Sequence, residues 1–142
     1  MTERTTDELR HAIVAEALSW VGCPFHDRAG VKGVGVDCLH FIVRVYQAVD
    51  VLEPFDPPVY SAQWFLHKDE PLFLDGMKRY AHRVEMAQPG DIAMFNFGRH
   101  AAHAAIIIDH YTMIHAYKAC GEVIRDARSA HDHRLHSYWS LL

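Results

Sequence analysis

The chain predicts an α+β domain, with helices first and a mainly antiparallel sheet second, and two observations carry that prediction. In the N-terminal half the apolar residues recur at helical spacing, whereas from Arg83 onward they come in short runs broken by turn signals. A length of 142 residues suits a single domain spanning 1–142, and a domain of this size buries about two-thirds of its unfolded surface, enough for a real core.

Thr5-Thr6-Asp7-Glu8 is a capping box, with Thr5 as N-cap and Glu8 reaching back to it. The helix it opens carries Leu9, Ile13, Ala17 and Val21 every four residues, one apolar stripe that ends near Gly22 and is closed by Pro24. Residues 25–36 hold three glycines and no hydrophobic period, which predicts a loop delivering Asp37 and Cys38. From Leu39 on, Ile42, Val43, Tyr46 and Val49 predict a second helix, held by packing more than by propensity because it is rich in β-branched residues. Pro54, Pro57 and Pro58 mark a turn-rich connection, after which 61–67 and 69–80 predict two shorter helices, the latter begun by Asp69-Glu70-Pro71. Turn signals at 89–91, 96–99, 109–110 and 120–121 then separate strands predicted at 92–97, 102–108, 112–117, 122–126 and 138–142. There is no internal repeat and no low-complexity tract.

Composition excludes several function classes. Fourteen Lys and Arg against 18 Asp and Glu give a formal charge of -4, with no basic cluster to neutralise a run of phosphates, so nucleic acid is not an expected partner. Glu3, Asp7, Glu8 and Glu16 interrupt the first twenty residues, which therefore hold neither a signal peptide's apolar region nor a membrane span; the expectation is synthesis in the cytoplasm without a leader. Cys23, Cys38 and Cys120 are odd in number and follow no disulfide-scaffold spacing, which suits a reducing compartment and leaves at least one free thiol. Twelve histidines raise the question of metal. His100 and His103 precede a strand-like run, where an odd separation puts them on opposite sides. His131, His133 and His136 cluster in a polar stretch beside Arg134, which can pick up zinc or nickel adventitiously, but no Cys or carboxylate set in the sequence completes a tetrahedral site around them, so no functional metal and no organic cofactor is expected.

Residues 34–41 read Val-Gly-Val-Asp-Cys-Leu-His-Phe, a glycine-rich loop ending in an N-cap aspartate with Cys38 on the first helical turn. Unpaired amides and the positive end of the helix macrodipole favour an anion there, so the thiol pKa is expected to fall below its free value of about 8.5. The competing reading is a small buried hydrophobe, which most free cysteines are. A nucleophilic cysteine needs a base within hydrogen-bond reach and a third group to hold the base in the useful tautomer. His103 opens the strand-like His-Ala-Ala-Ile-Ile-Ile, where Ala104 and Ala105 leave room for a helix terminus, and His115 lies in the next strand. A three-residue hairpin loop at 109–111 puts Ile108 opposite Thr112 and Ala105 opposite His115. His103 and His115 are then diagonal neighbours on one face; a two-residue loop puts them on opposite faces.

The order of a helix, a glycine-rich loop, Asp37-Cys38, a helix, Pro89-Gly90-Asp91-Ile92, His103-Ala-Ala-Ile-Ile and Ile114-His115-Ala116 resembles the NlpC/P60 cysteine peptidases over nearly the whole chain. That resemblance implies a papain-like α+β fold, with N-terminal helices packed on a mainly antiparallel sheet of five to six strands. It implies cleavage of cell-wall peptides, typically beside D-glutamate and a diamino acid, with Cys38 as nucleophile, His103 as base and His115 as orienting residue. Asp37 supports the site as helix N-cap. Residues 13–25 and 33–38 look most like the short versions encoded by tailed phages and gene transfer agents, which implies association with a tail and with tail proteins. Two departures stand out: Leu39-His40 replaces the family's common Ser-Gly, and Phe25 stands where the family often has a tyrosine whose hydroxyl lies near the oxyanion. His26 is a candidate substitute for that hydroxyl. The departures keep a second reading in play, a non-catalytic tail-tip assembly or binding module, and a third is acyl transfer to an acceptor other than water.

Overall fold

The computed structural model describes residues 3–54, 72–97 and 100–142. Helix α1 is Thr6–Leu18, and its first turn is held as expected, Glu8 N–H donating to Thr5 Oγ1 at 3.1 Å. Ile13 and Ala17 are buried, but the helix stops short of the expected end: Ser19 caps it, a turn follows, and Val21 is exposed while Trp20 is buried instead. Gly22 closes that turn at φ +93°, a left-handed conformation that breaks the helical period before Val21 can face the core. Residues 25–36 are more than a loop. They contain a two-stranded antiparallel ribbon, β1 (Gly30–Val31) with β2 (Gly35–Val36), whose strands are too short for any alternating pattern to announce them.

Helix α2 spans Cys38–Ala48 and buries Phe41, Ile42, Val43, Val45 and Tyr46. Helix α3 is Leu72–Tyr80, so the predicted helix 69–80 begins outside the described residues, as does the whole of 61–67. A six-stranded sheet follows, in the spatial order β3-β8-β4-β5-β6-β7 among the described residues. Its strands are β3 (His82–Val84), β4 (Ile92–Phe97), β5 (His100–Ile107), β6 (Thr112–Tyr117), β7 (Glu122–Ala127) and β8 (Leu135–Ser140). All neighbouring pairs are antiparallel. The short edge strand β3 was not anticipated, and the last strand begins three residues earlier than 138 and ends two before the C-terminus. Residues 128–134, for which no element is predicted, wind into a 3-10 segment, Arg128–Arg134, between β7 and β8.

The turn at 89–91 ties the layers together. Gly90 sits at φ +91°, its carbonyl accepts from Tyr46 Oη at 2.6 Å, and Asp91 accepts from Arg10 at 2.8 Å, so one turn anchors α1 and α2 to the start of β4. The sheet has two unlike faces. Alternate residues Ile92, Met94, Ala104, Ile106, Ile114, Ala116 and Val123 pack with Ile13, Ala17, Phe41, Ile42 and Val45 of the helices. Their neighbours Ala93, Phe95, Ala105, Ile107 and Met113 form a second, smaller cluster on the other side. Strict two-residue alternation is what lets one stretch of strand build both. Only Ala104 of the Ala104-Ala105 pair faces the helices, so the room expected from both residues comes from one.

Candidate active site

Asp37 caps α2: Oδ1 accepts from the backbone N–H of His40 at 2.9 Å, and Oδ2 from that of Arg28 at 2.7 Å. The cap places Cys38 at the first helical position, where it is half-buried. β5 and β6 are paired through Ile106↔Ile114 and Ile107↔Met113, and the ladder does not continue toward His103. Beyond that point the Ala104 amide acts on the Cys38 thiol and favours its anion, which sets the thiol near the residue that follows His103.

The hairpin has the three-residue connection. Ile108 N–H donates to the Thr112 carbonyl at 3.0 Å, and Asp109 Oδ1 accepts from the backbone N–H groups of Tyr111 and Thr112, holding the turn closed. His103 and His115 therefore share a face. Their rings are hydrogen-bonded, His103 Nε2 to His115 Nδ1 at 2.7 Å, and both are buried. Phe97 stacks on His103 with centroids 4.8 Å apart and planes 10° apart, and Tyr117 stacks on His115 at 4.8 Å and 19°. Two aromatic plates thus hold the imidazole pair edge to face.

Two further residues complete the chain of contacts, and sequence reasoning missed their part in it. β7 pairs with β6 so that Ile124 faces His115 and Asp126 faces Met113, which makes Asp126 the diagonal neighbour of His115 on its own face. His115 Nε2 lies 3.0 Å from Asp126 Oδ2, and His131 Nε2, from the 3-10 segment, lies 2.9 Å from the same oxygen. The signal for His131 was the histidine-rich stretch. The completing carboxylate was invisible because nothing in 118–121 tells a reader that a 3-10 turn, Lys118–Cys120, and left-handed Gly121 set the β6–β7 register. His133 is exposed, and His136 bonds Ser137 Oγ at 2.7 Å, so only one of the three clustered histidines joins the site.

Electrostatics overturn the expectation of a resting thiolate. Burial pushes the Cys38 thiol well up, the Asp37 carboxylate beside it pushes further, and the amides of Leu39, Cys38 and Ala104 offset only part of this. The capping carboxylate cancels what the helix terminus offers. On the other side, burial drives His103 well below the ordinary histidine range, helped by His115, His131 and Arg134. His115 is pushed down to about 4, burial outweighing the hydrogen bond and charge of Asp126 that favour the cation. For Asp126, burial raises the carboxyl but the bonds from His131 and His115 prevail and hold it below the usual carboxylate range. These directions all favour a neutral thiol and neutral imidazoles beside one carboxylate.

The departures are packed, not merely tolerated. His40 is buried, with Nδ1 2.8 Å from Asp37 Oδ1, and its ring occupies the space over Gly30, where an added Cβ would lie 2.7 Å from Cδ2. Phe25 is half-buried and its backbone N–H donates to the Gly121 carbonyl at 2.8 Å. His26 is exposed, its ring lying over Gly35. Cys23 is buried, its thiol 3.8 Å from the Pro24 carbonyl and 3.9 Å from that of Val31, and Cys120 is exposed.

A thiol at a helix start, set against a strand that carries one member of a bonded imidazole pair, defines a papain-like domain. The chain belongs to the NlpC/P60 family, whose model matches residues 24–140. Among solved structures it is similar to the NlpC/p60 domain of peptidoglycan hydrolase SagA, with 21% identity, a TM-score of 0.63, and coverage of 92% of this chain and 97% of that one. It is also similar to NlpC2 from Trichomonas vaginalis, with 14% identity and a TM-score of 0.71, covering 99% of this chain and half of the other. Peptidoglycan hydrolase RipB from Mycobacterium tuberculosis matches at 15% identity and a TM-score of 0.65, covering all of this chain and 69% of that one. No curated protein matches the chain. No helix among the described residues is long and apolar enough to cross a membrane.

Proposed function

We propose that the chain is a cysteine peptidase that hydrolyses amide bonds of peptidoglycan stem peptides through a thioester acyl-enzyme. Cys38 is the nucleophile, His103 the base and His115 the ring that orients it. The observation that carries this reading is the bonded His103–His115 pair, with the Ala104 amide, next along the strand from His103, acting on the Cys38 thiol at the start of α2. Names of similar structures, two of them peptidoglycan hydrolases, support the substrate class.

Tautomers follow from the bonds. Asp126 Oδ2 is an acceptor, so His115 donates from Nε2, and its Nδ1 carries a lone pair. His103 must then donate from Nε2, which leaves its Nδ1 bare for the thiol proton. As the Cys38 sulfur attacks the carbonyl carbon, its proton passes to His103 Nδ1. The imidazolium hands that proton to the leaving amine, and the C–N bond breaks. Water then gives a proton to His103 and attacks the thioester, and Cys38 leaves as the thiol. Since thiol and imidazole start neutral, proton transfer accompanies attack, as with a serine nucleophile. The likeness of 13–25 and 33–38 to tail-encoded versions supports carriage to the wall in a phage-type particle.

The second reading, a non-catalytic tail-tip module, draws on the raised thiol and on Phe25, which carries no hydroxyl for an oxyanion. Incubation with defined wall fragments, with products identified by mass, decides between them. Free carboxyl and amino products that depend on Cys38 support the peptidase, products joined to a second amine support acyl transfer, and intact fragments favour the binding module.

A further inference from the structure

We propose that His115 Nε2, Asp126 Oδ2 and His131 Nε2 form a zinc site, and that zinc bound there turns the peptidase off by reversing the direction of its hydrogen-bond chain. The switch rests on the assignment of His103 as base; the metal site does not. The three donor atoms lie within 4.8 Å of one another. Both nitrogens already converge on one oxygen, at 3.0 and 2.9 Å. Ligand atoms of a tetrahedral zinc, each about 2.0–2.1 Å from the ion, stand roughly 3.3 Å apart, so those two contacts widen by only a few tenths of an ångström. Two imidazoles and one carboxylate, with a fourth position for water, are a donor set that zinc takes outside closed structural sites. Entry is from the Asp126 side, whose side chain is 23% exposed, while the His115 ring is fully buried and held by Tyr117.

The consequence for the base follows from counting hydrogens. In the metal-free chain His103 and His115 each carry one ring hydrogen, both on Nε2. Zinc on His115 Nε2 takes the lone pair there, so the neutral ring carries its hydrogen on Nδ1. That N–H now donates to His103 Nε2 across the 2.7 Å contact, the outward bond a zinc-bound imidazole characteristically makes. His103 must accept at Nε2 and keep its own hydrogen on Nδ1, the atom that has to be bare to take the thiol proton. Neither ring gains or loses a hydrogen in total; each exchanges one position for the other through water. A cation some way from the sulfur thereby blocks the chemistry without touching it.

The test uses the full chain with Cys38→Ser, which removes the thiol as a competing zinc ligand. Zinc chloride is titrated by calorimetry, and the histidine ring nitrogens are followed by 15N NMR. One zinc per chain is expected, with affinity reduced about tenfold or more by Asp126→Ala and by His131→Ala, or by His131→Gln should the alanine variant not fold. His133→Ala is expected to bind as well as its parent. On zinc addition His115 Nδ1 moves from a lone-pair to an N–H shift, and His103 Nε2 moves the opposite way. Affinity that is indifferent to Asp126 and His131, or unchanged ring shifts, overturns the proposal. If zinc-free wild type cleaves wall fragments and saturating zinc does not reduce the rate, the switch is wrong. If zinc binds with these signatures but the zinc-free chain cleaves nothing, the metal site stands and the peptidase reading, with its switch, falls.

Discussion

The two faces of the sheet are made by alternate residues of the same strands, yet they follow different physics. Toward the helices the strands present Met94, Ala104, Ile106, Ile114 and Ala116, a hydrocarbon surface. One residue along, the other face presents His103, His115, Tyr117 and, from β7, Asp126. The first face stabilises through area removed from water; the second buries imidazoles that cost stability only as the pH falls and the unfolded chain takes up their protons. Cys38 belongs to an element of the first face and is set to work with the second, and the place where this is possible is the end of the β5–β6 ladder.

Substitutions separate the two faces most sharply when made as a pair. Cys38→Ala is expected to remove turnover of a wall fragment by about four orders of magnitude or more while leaving the melting temperature near that of the parent. Phe41→Ala, fully buried on the helix side, is expected to cost about 3–5 kcal/mol in urea unfolding and leave kcat/KM per folded molecule unchanged. A Phe41→Ala protein as stable as the parent breaks the division of labour. Next in size is acid stability. The folded pKa of His115, about 4, lies below the ordinary 6.5, so the unfolded chain binds the extra proton between those values. Stability from this group is complete above pH 6.5 and is lost as pH falls toward 4, about 3 kcal/mol in all. His115→Phe is expected to flatten that stretch of the urea midpoint against pH.

Asp126→Asn tests the orientation of the pair. An amide can donate to His115 Nε2 and so stabilise the wrong tautomer; kcat is expected to fall about tenfold to a hundredfold, less than the 10⁴ of a fully buried triad aspartate, with KM little changed. An unaltered kcat detaches Asp126 from the chemistry. The smallest expected effect is at Gly30, where a methyl meets the buried His40 ring at 2.7 Å. Gly30→Ala should destabilise by about 1–3 kcal/mol, and the double variant with His40→Gly should recover most of it. No recovery makes the His40–Gly30 packing incidental.

The legibility of the site divides along similar lines. Thr5 and Asp37 as caps, Cys38 at a helix start, strands 92–97 and 112–117, and the face shared by His103 and His115 all follow from offsets of two to four residues, where chain geometry leaves few choices. The ends of α1 and the last strand were misplaced because a left-handed glycine and a 3-10 segment override hydrophobic period. The protonation of Cys38 was misjudged for a related reason: the helix terminus is local and readable, but burial and the field of Asp37 depend on what packs around it.

The amino-acid order alone determined the α+β class, the helix that presents Cys38 and the hairpin that pairs two histidines, since each is set by short-range hydrogen bonding and side-chain period. Tertiary structure decided which carboxylate closes the chain of rings, where the ladder opens for the sulfur, and that thiol and imidazoles rest uncharged. Those depend on register between separate strands and on how much water is excluded, and neither is set until the whole sheet has packed.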